Sequence, residues 1–423
     1  MNRISVFLIL CSLVPLFGQI TWTEHNIASD FDGAIWAHAM DMDNDGDIDV
    51  LAAAWEADAI AWWENDGDEN FTEHDIASSF DGACCVFGIN LDDDDDGDVI
   101  ATAYFDNTVA WWENNAGVFT QHVITNTFPG AYSVYATDLD DDGDIDILGA
   151  ARTSNTIAWW ENNGSQGFTE HFISTAFLDA SSVYAADVDS DGDMDVLGAA
   201  GIGDDIAWWE NVGGQVFVQH VIAGNFNGAT AVYAADIDND SDIDVAGAGY
   251  LANTIAWWEN AGNQVFTQHN LITGLNGAGA VFAADLNDDD TLEVLGAAWG
   301  ANTIGYWGNI SSIITNTFNY AHSVFAIDMD NDGDNDVLGS AMNADAITWW
   351  ESDFVGIKEN KRTHIDNSAF GATIISGQLL LPNDSKVRVY DISGRQVTSN
   401  SLKPGVYFIK IDGNSVRKIV SIK

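Results

Sequence analysis

Seven copies of one acidic loop begin at Asp41, Asn90, Asp138, Asp187, Asp236, Asp285 and Asp328, at spacings of 49, 48, 49, 49, 49 and 43 residues. A period of this length marks a supersecondary unit that must bury its apolar surface against copies of itself. One copy displays the whole unit. SVYAAD (Ser182 to Asp187) leads into the loop, followed by DVLGAA (Asp195 to Ala200), DIAWWEN (Asp205 to Asn211) and VFVQHVI (Val216 to Ile222), with the turn NVGG before the last segment. These are four short strands rich in β-branched and aromatic residues. Tryptophans fall on both faces of the third strand, which demands burial on both faces, as in sheets packed radially between neighbours. The prediction is an all-β, seven-bladed β-propeller of four-stranded blades, with a linear β-solenoid as the alternative. Phase favours the ring. TWTEHNI (Thr21 to Ile27) matches the fourth strand of a unit and AITWWES (Ala346 to Ser352) the third, so the chain opens with the strand that its last unit lacks.

The loop carries its own chemistry. In DLDDDGDIDI (Asp138 to Ile147), alternate carboxylates surround Gly143. Several hard oxygens aimed at one centre, with a glycine for the bend, suit Ca²⁺. The flanks are strand-like, and Gly149 stands where an EF-hand has its bidentate Glu, so the loop joins two strands. Side chains at positions 1, 3, 5 and 9 and the carbonyl of position 7 are the expected donors. They are Asp41, Asp43, Asp45, Asp47 and Asp49; Asn90, Asp92, Asp94, Asp96 and Asp98; Asp138, Asp140, Asp142, Asp144 and Asp146; Asp187, Asp189, Asp191, Asp193 and Asp195. The later loops supply Asp236, Asp238, Asp240, Asp242 and Asp244; Asp285, Asn287, Asp289, Thr291 and Glu293; Asp328, Asp330, Asp332, Asp334 and Asp336. Up to seven calcium ions are expected, one per blade. The fifth loop has Ser241 in the glycine slot. The second has Asn90 first and Asp95 in that slot, and the sixth has Asn287, Asp290 and Glu293, so sites two and six are expected to bind most weakly.

Charge divides the chain. Of 13 basic residues, 11 lie from Lys358 onward, and residues 20–351 hold only Arg152; the net charge is −53. The body repels nucleic acid and anionic membrane surfaces, which need basic patches. Residues 1–19, with Arg3 and the apolar run Ile4 to Phe17, are expected to be a secretory signal, and no later segment is long and apolar enough to span a bilayer. Residues 20–352 form the propeller by this account, and 353–423 a linker and a small β-sandwich. Cys84 and Cys85 are expected to be buried thiols, with no disulfide framework.

Ligand recognition belongs where the repeat varies. His25, His74, His122, His171, His220 and His269 recur at one phase of the repeat, so they are scaffold; paired tryptophans such as Trp111 and Trp112 are packing. The residue after the second strand is Trp55, Tyr104, Arg152, Gly201, Tyr250, Trp299 and Met342 in successive units. An inner column runs Ile35, Cys84, Tyr132, Ser181, Thr230, Gly279 and His322. Both are expected to ring a central funnel opposite the acidic loops. Trp55, Tyr104, Tyr132, Arg152, Tyr250, Trp299 and His322 are the candidate contacts for a carbohydrate or protein ligand. No G-x-S-x-G or H-E-x-x-H motif occurs.

The repeats over Ile20 to Ser352 resemble FG-GAP/VCBS repeats, the family that includes the integrin α-subunit propeller. The resemblance implies calcium in the loop between the first and second strands. Some propellers of this kind serve enzymes, which leaves a calcium-dependent polysaccharide lyase or dehydratase as the alternative function; its base would come from His322, Arg152, Tyr132 or Tyr320. In the tail, VRVYDISGRQV (Val387 to Val397), LKPGVYFIKI (Leu402 to Ile411) and VRKIVSIK resemble the C-terminal sorting domain of type IX secretion cargo. That resemblance implies an Ig-like sandwich, recognition by the type IX machinery, and a secreted or cell-surface destination.

Overall fold

The computed structural model describes residues 20–354 except Asp93 and Asp95, together with the backbone strands Val387–Asp391, Gln396–Val397, Gly405–Ile411 and Ser415–Ser421. The proposed signal, residues 1–19, lies outside the described residues. The chain divides into two units, Met1–Phe354 and Val355–Lys423. The first is a seven-bladed β-propeller: seven antiparallel sheets of four strands, six of them in simple sequential order. The third blade is representative, with strands Ala131–Thr137, Asp146–Ala151, Thr156–Asn162 and Phe168–Ser174 from the axis outward. The seventh sheet takes its outer strand, Trp22–Ala28, from the start of the chain. It pairs with Ala346–Ser352 in the register Trp22↔Ser352 and Glu24↔Trp350. Ring closure therefore uses the same ladder hydrogen bonds as every other blade.

Every second strand is buried along its whole length. The paired tryptophans then divide their work between the two faces of the third strand, because neighbouring side chains point to opposite sides. The second Trp meets a phenylalanine edge-on, as in Phe128–Trp160 at 5.1 Å and Phe226–Trp258 at 5.0 Å. The first Trp stacks on the outer-strand histidine, as in Trp159–His171 at 4.7 Å, and that histidine bonds Glu161 at 2.8 Å. The same ring and carboxylate arrangement recurs at His25, His74, His122, His220 and His269. The histidines are scaffold, as their phase implies. Buried clusters span adjacent blades, including the closing pair, where Leu338, Ile347 and Trp349 pack with Val50, Ala52 and Trp63.

A second ring of contacts was not foreseen from the sequence. Asp58, Asn107, Asn155, Asp204, Asn253, Asn302 and Asp345 all adopt left-handed backbone, with φ between 52° and 58°. Asn and Asp tolerate that conformation better than other side chains. Each side chain accepts the N–H of a residue in the next blade (Gly82, Gly130, Asp179, Gly228, Gly277, Tyr320 and Gly33) at 2.8 to 3.0 Å. The backbone carbonyl of each accepts a second N–H from the same neighbour, such as Phe177 on Asn155 and Phe31 on Asp345. These latches run around the whole ring.

In the second unit the four described strands form one antiparallel sheet, with Val387–Asp391 between Gln396–Val397 and Gly405–Ile411 and Ser415–Ser421 outermost. The second layer expected of a sandwich falls outside the described residues. Among the described residues no helix is long and apolar enough to cross a membrane.

Candidate functional site

The acidic loops leave the first strand of each blade and enter the second, on one face of the ring. Their folding follows from the carboxylates at positions 1 and 5. In the third loop, Asp138 accepts the N–H groups of Asp142 (3.2 Å) and Gly143 (2.9 Å), and Asp142 accepts that of Asp144 (2.9 Å). Gly143 sits at φ +97°, a conformation that strains any side chain. The position-9 acid has a different task. Both oxygens of Asp146 are engaged by backbone N–H groups, Leu139 at 3.0 Å and Asn162 at 2.8 Å, so it ties the loop to the third strand. Glu293 plays the first part of this role in the sixth blade, accepting from Leu286 and also from the Asn287 amide.

Carboxylate oxygens of three residues converge within 4.8 Å in five loops: Asp41, Asp43 and Asp45; Asp138, Asp140 and Asp146; Asp187, Asp189 and Asp195; Asp236, Asp238 and Asp244; Asp328, Asp330 and Asp332. Among the described residues the second and sixth loops form no such triple. Buried Oδ1 atoms of Asp140, Asp189 and Asp328 have no hydrogen-bond partner. Desolvation, and then the neighbouring Asp142 and Asp191, push the carboxyls of Asp140 and Asp189 above their ordinary range. A buried carboxylate oxygen without a partner is costly unless a cation meets it, and a set of hard oxygens fits a divalent ion such as Ca²⁺. A cleft of about 460 Å³ between the third and fourth loops, lined by Asp138, Asp140 and Asp193, opens this region to solvent.

The two variable columns meet on the opposite face, because the end of each second strand pairs with the start of the first, as in Ala131↔Ala151 and Ala278↔Ala298. They do not form an even ring. Trp55 packs on Tyr104 at 5.3 Å and on Phe105 at 5.0 Å. Across the rim, Trp299 lies 5.7 Å from Tyr250 and near-parallel to His322 (5.3 Å) and Tyr320 (6.1 Å). Its ring covers Gly279, where a Cβ would come within 2.1 Å of it. Ile35, Cys84 and Ser181 of the inner column are buried, and Cys84 and its neighbour Cys85 are free thiols.

Arg152 is committed within the protein. Its guanidinium makes two bonds to Asp179, at 2.7 and 2.8 Å, and lies 4.8 Å from the centre of the Tyr132 ring. Gly201 permits this, since a Cβ there would stand 2.4 Å from Asp179 Oδ2. The one position in the outer column without a side chain is therefore the one over which an acid reaches across to its cation. Desolvation lowers the pKa of His322 to about 4, and its Nδ1 is buried without a partner. The ring is neutral at pH 7.

Deeper on the axis, His38, Phe87, Tyr135, Tyr184, Tyr233, Phe282 and Phe325 touch in sequence around the full circle, with centroids 4.5 to 5.2 Å apart. This closed girdle forms the floor of the funnel. Its phase, three residues before each acidic loop, was legible as a recurring aromatic column, but alternation alone does not distinguish axis from blade core. His38 Nδ1 accepts the Gly88 N–H at 3.4 Å, and desolvation lowers its pKa to about 4.

A family described as FG-GAP-like repeat matches residues 138–198 and 236–296. Among solved structures, the streptogramin B lyase structure is 16% identical, with a TM-score of 0.58 over 79% of this chain and 98% of that one. BBS1N in complex with ARL6DN, soaked with lead, is 11% identical, with a TM-score of 0.55 over 78% of this chain and 96% of that one. Such identities speak for the fold alone. No curated protein matches the sequence. Residues 20–354 therefore form a seven-bladed β-propeller, in which residues 138–198 and 236–296 match FG-GAP-like repeats.

Proposed function

We propose that this propeller is a calcium-stabilised binding module, secreted or displayed at the cell surface, whose ligand docks on the aromatic rim. The observation that supports this is the separation of two kinds of residue onto two faces. Repeat-constant carboxylates lie on one face, and the variable columns with Trp55, Tyr104, Tyr250 and Trp299, together with Tyr320 beside them, lie on the other. Ca²⁺ would be held by the loop carboxylates, with the five three-carboxylate loops binding best, and would supply charge neutralisation rather than chemistry. Export through the type IX machinery rests on the tail motifs quoted above. The ligand is a carbohydrate or a protein. A lyase or dehydratase needs a base at the funnel, and His322, with a pKa near 4, is a weak one.

The test is binding to arrayed glycans and polypeptides in calcium, followed by Trp299→Ala. Loss of at least about 30-fold in affinity, the size expected for an aromatic anchor, with an unchanged fold supports the rim. Equal binding by the variant places the ligand elsewhere. Ultraviolet-absorbing unsaturated products from a bound polysaccharide would instead favour the lyase.

A further inference from the structure

The rim also carries exposed apolar side chains that the repeat does not require. Ile202 is 72% exposed, Phe105 54%, Leu251 51% and Leu178 49%. Phe105, Ile202 and Leu251 share one column, each directly following the outer variable position. Other blades place Glu56, Thr153, Gly300 and Asn343 there, so a large apolar tip is a choice and not a structural need. Leu178 joins this group because its carbonyl accepts the Gly203 N–H at 3.1 Å. Asp204 then reaches Gly228 at 2.8 Å, beside which Leu251 begins. The fourth and fifth blades thus present an aliphatic crescent next to Tyr250 and Trp299. Exposed valines elsewhere, such as Val118 and Val265, flank turns between third and outer strands, away from the axis.

Two features of this crescent select among ligands. Sugars stack on free aromatic faces, but Trp55 is met by Tyr104 and Phe105, and Trp299 lies over Gly279 and near-parallel to its two neighbours. What projects outward is branched aliphatic surface, which rewards burial against other apolar side chains. The surrounding charge is acidic. Asp204 and Asp205 are half-buried beside Ile202, Asp32, Glu56, Asp81 and Asp106 are exposed on the same face in the first and second blades, and the single cation of the ring, Arg152, is already paired with Asp179. A second copy of the ring and an anionic bilayer are both repelled by that field.

We propose that the rim binds a polypeptide that presents apolar side chains flanked by Lys or Arg, with Ile202 and Leu251 as its main apolar contacts. This rests on the rim being the binding face and names the class of partner. The probes are synthetic twelve-residue peptides in three compositions (apolar with basic, apolar with acidic, polar with basic) and neutral oligosaccharides, tested on the full chain in calcium. Apolar-basic peptides are expected to bind, at least tenfold more tightly than either other composition. The double variant Ile202→Ser/Leu251→Ser is expected to lose at least tenfold, and the control Val118→Ser/Val265→Ser nothing. All four sites are exposed, so the variants fold, which an unchanged melting curve verifies. Retention of affinity by the double variant, equal binding of polar-basic peptides, or no peptide binding overturns the proposal. If oligosaccharides alone bind and Trp299→Ala abolishes it, the rim remains the binding face while the polypeptide class is wrong. If ligands bind but no rim variant affects them, both fail.

Discussion

The two faces of the ring solve opposite problems with the same strands. On the loop face one acidic sequence recurs, and in loops such as the third the position-1 and position-5 carboxylates cap N–H groups while the position-9 acid is tied into the blade. On the rim face, neighbouring blades differ at equivalent positions, and the side chains interlock across blades, as Arg152 does with Asp179 and Trp299 with His322. Repetition preserves a device that each blade needs. Divergence appears where strand ends meet around the axis, since a side chain there affects its neighbours more than its own blade.

The comparison breaks most visibly if calcium is removed. If the proposed calcium sites are real, chelation with EDTA is expected to lower the melting temperature by roughly 10 °C or more, because each occupied loop would add about 2.7 kcal/mol with the ion at a hundred times its Kd. Calcium titration should resolve a strong class from the five three-carboxylate loops and a weaker class from loops two and six. A melt indifferent to EDTA would mean that the loops hold without an ion.

The latches test whether the rim depends on its neighbours. Asn155→Ala loses the Asp179 N–H acceptor and puts alanine at φ +58°, for a combined cost of about 2 kcal/mol by denaturant unfolding. Asn155→Gly, which keeps the backbone at ease, should cost less; equal losses would remove the backbone from the account.

Gly201→Ala and Gly143→Ala separate the faces by mechanism. The first crowds Asp179 and disturbs the Arg152 pair, costing about 1–3 kcal/mol as overpacking does. The second meets nothing within 4 Å, so only its φ of +97° opposes it, at about 1 kcal/mol. Crystal structures of both variants would show Asp179 displaced in one and side chains unmoved in the other.

The smallest effect concerns the girdle. The folded-state pKa of His38 is about 4, below the ordinary 6.5, so the unfolded chain binds the proton first. Its contribution to stability is present above pH 6.5 and lost as pH falls toward 4. His38→Phe, matching Phe87 and Phe325, should flatten the fall in melting temperature over that interval relative to the parent protein. Parallel curves would show that His38 titrates freely in the folded ring.

Much of this architecture was legible in the residues. The near-49-residue period, the four-strand unit and the displaced first strand together implied a closed ring, and Trp22–Ala28 does pair with Ala346–Ser352. The phase of the histidine column alone implies scaffold, and His171 does stack on Trp159 and bond Glu161, while the two variable columns share the rim. The latches are not legible in the sequence, because Asn155 and its counterparts resemble ordinary turn residues until the next blade is placed beside them. Nor does spacing disclose that Arg152 is already satisfied by Asp179, 27 residues away in the following blade.

What the sequence determined by itself is whatever repeats with a fixed phase: strand, loop and burial pattern depend on residues within one unit, and a periodic chain states them seven times over. Tertiary structure decided everything that crosses between units. Which faces of Trp299 are covered, where Ile202 and Leu251 project, and how seven aromatic rings close on an axis depend on the angle between blades. No local pattern encodes that angle, because it results from the packing of two complete sheets.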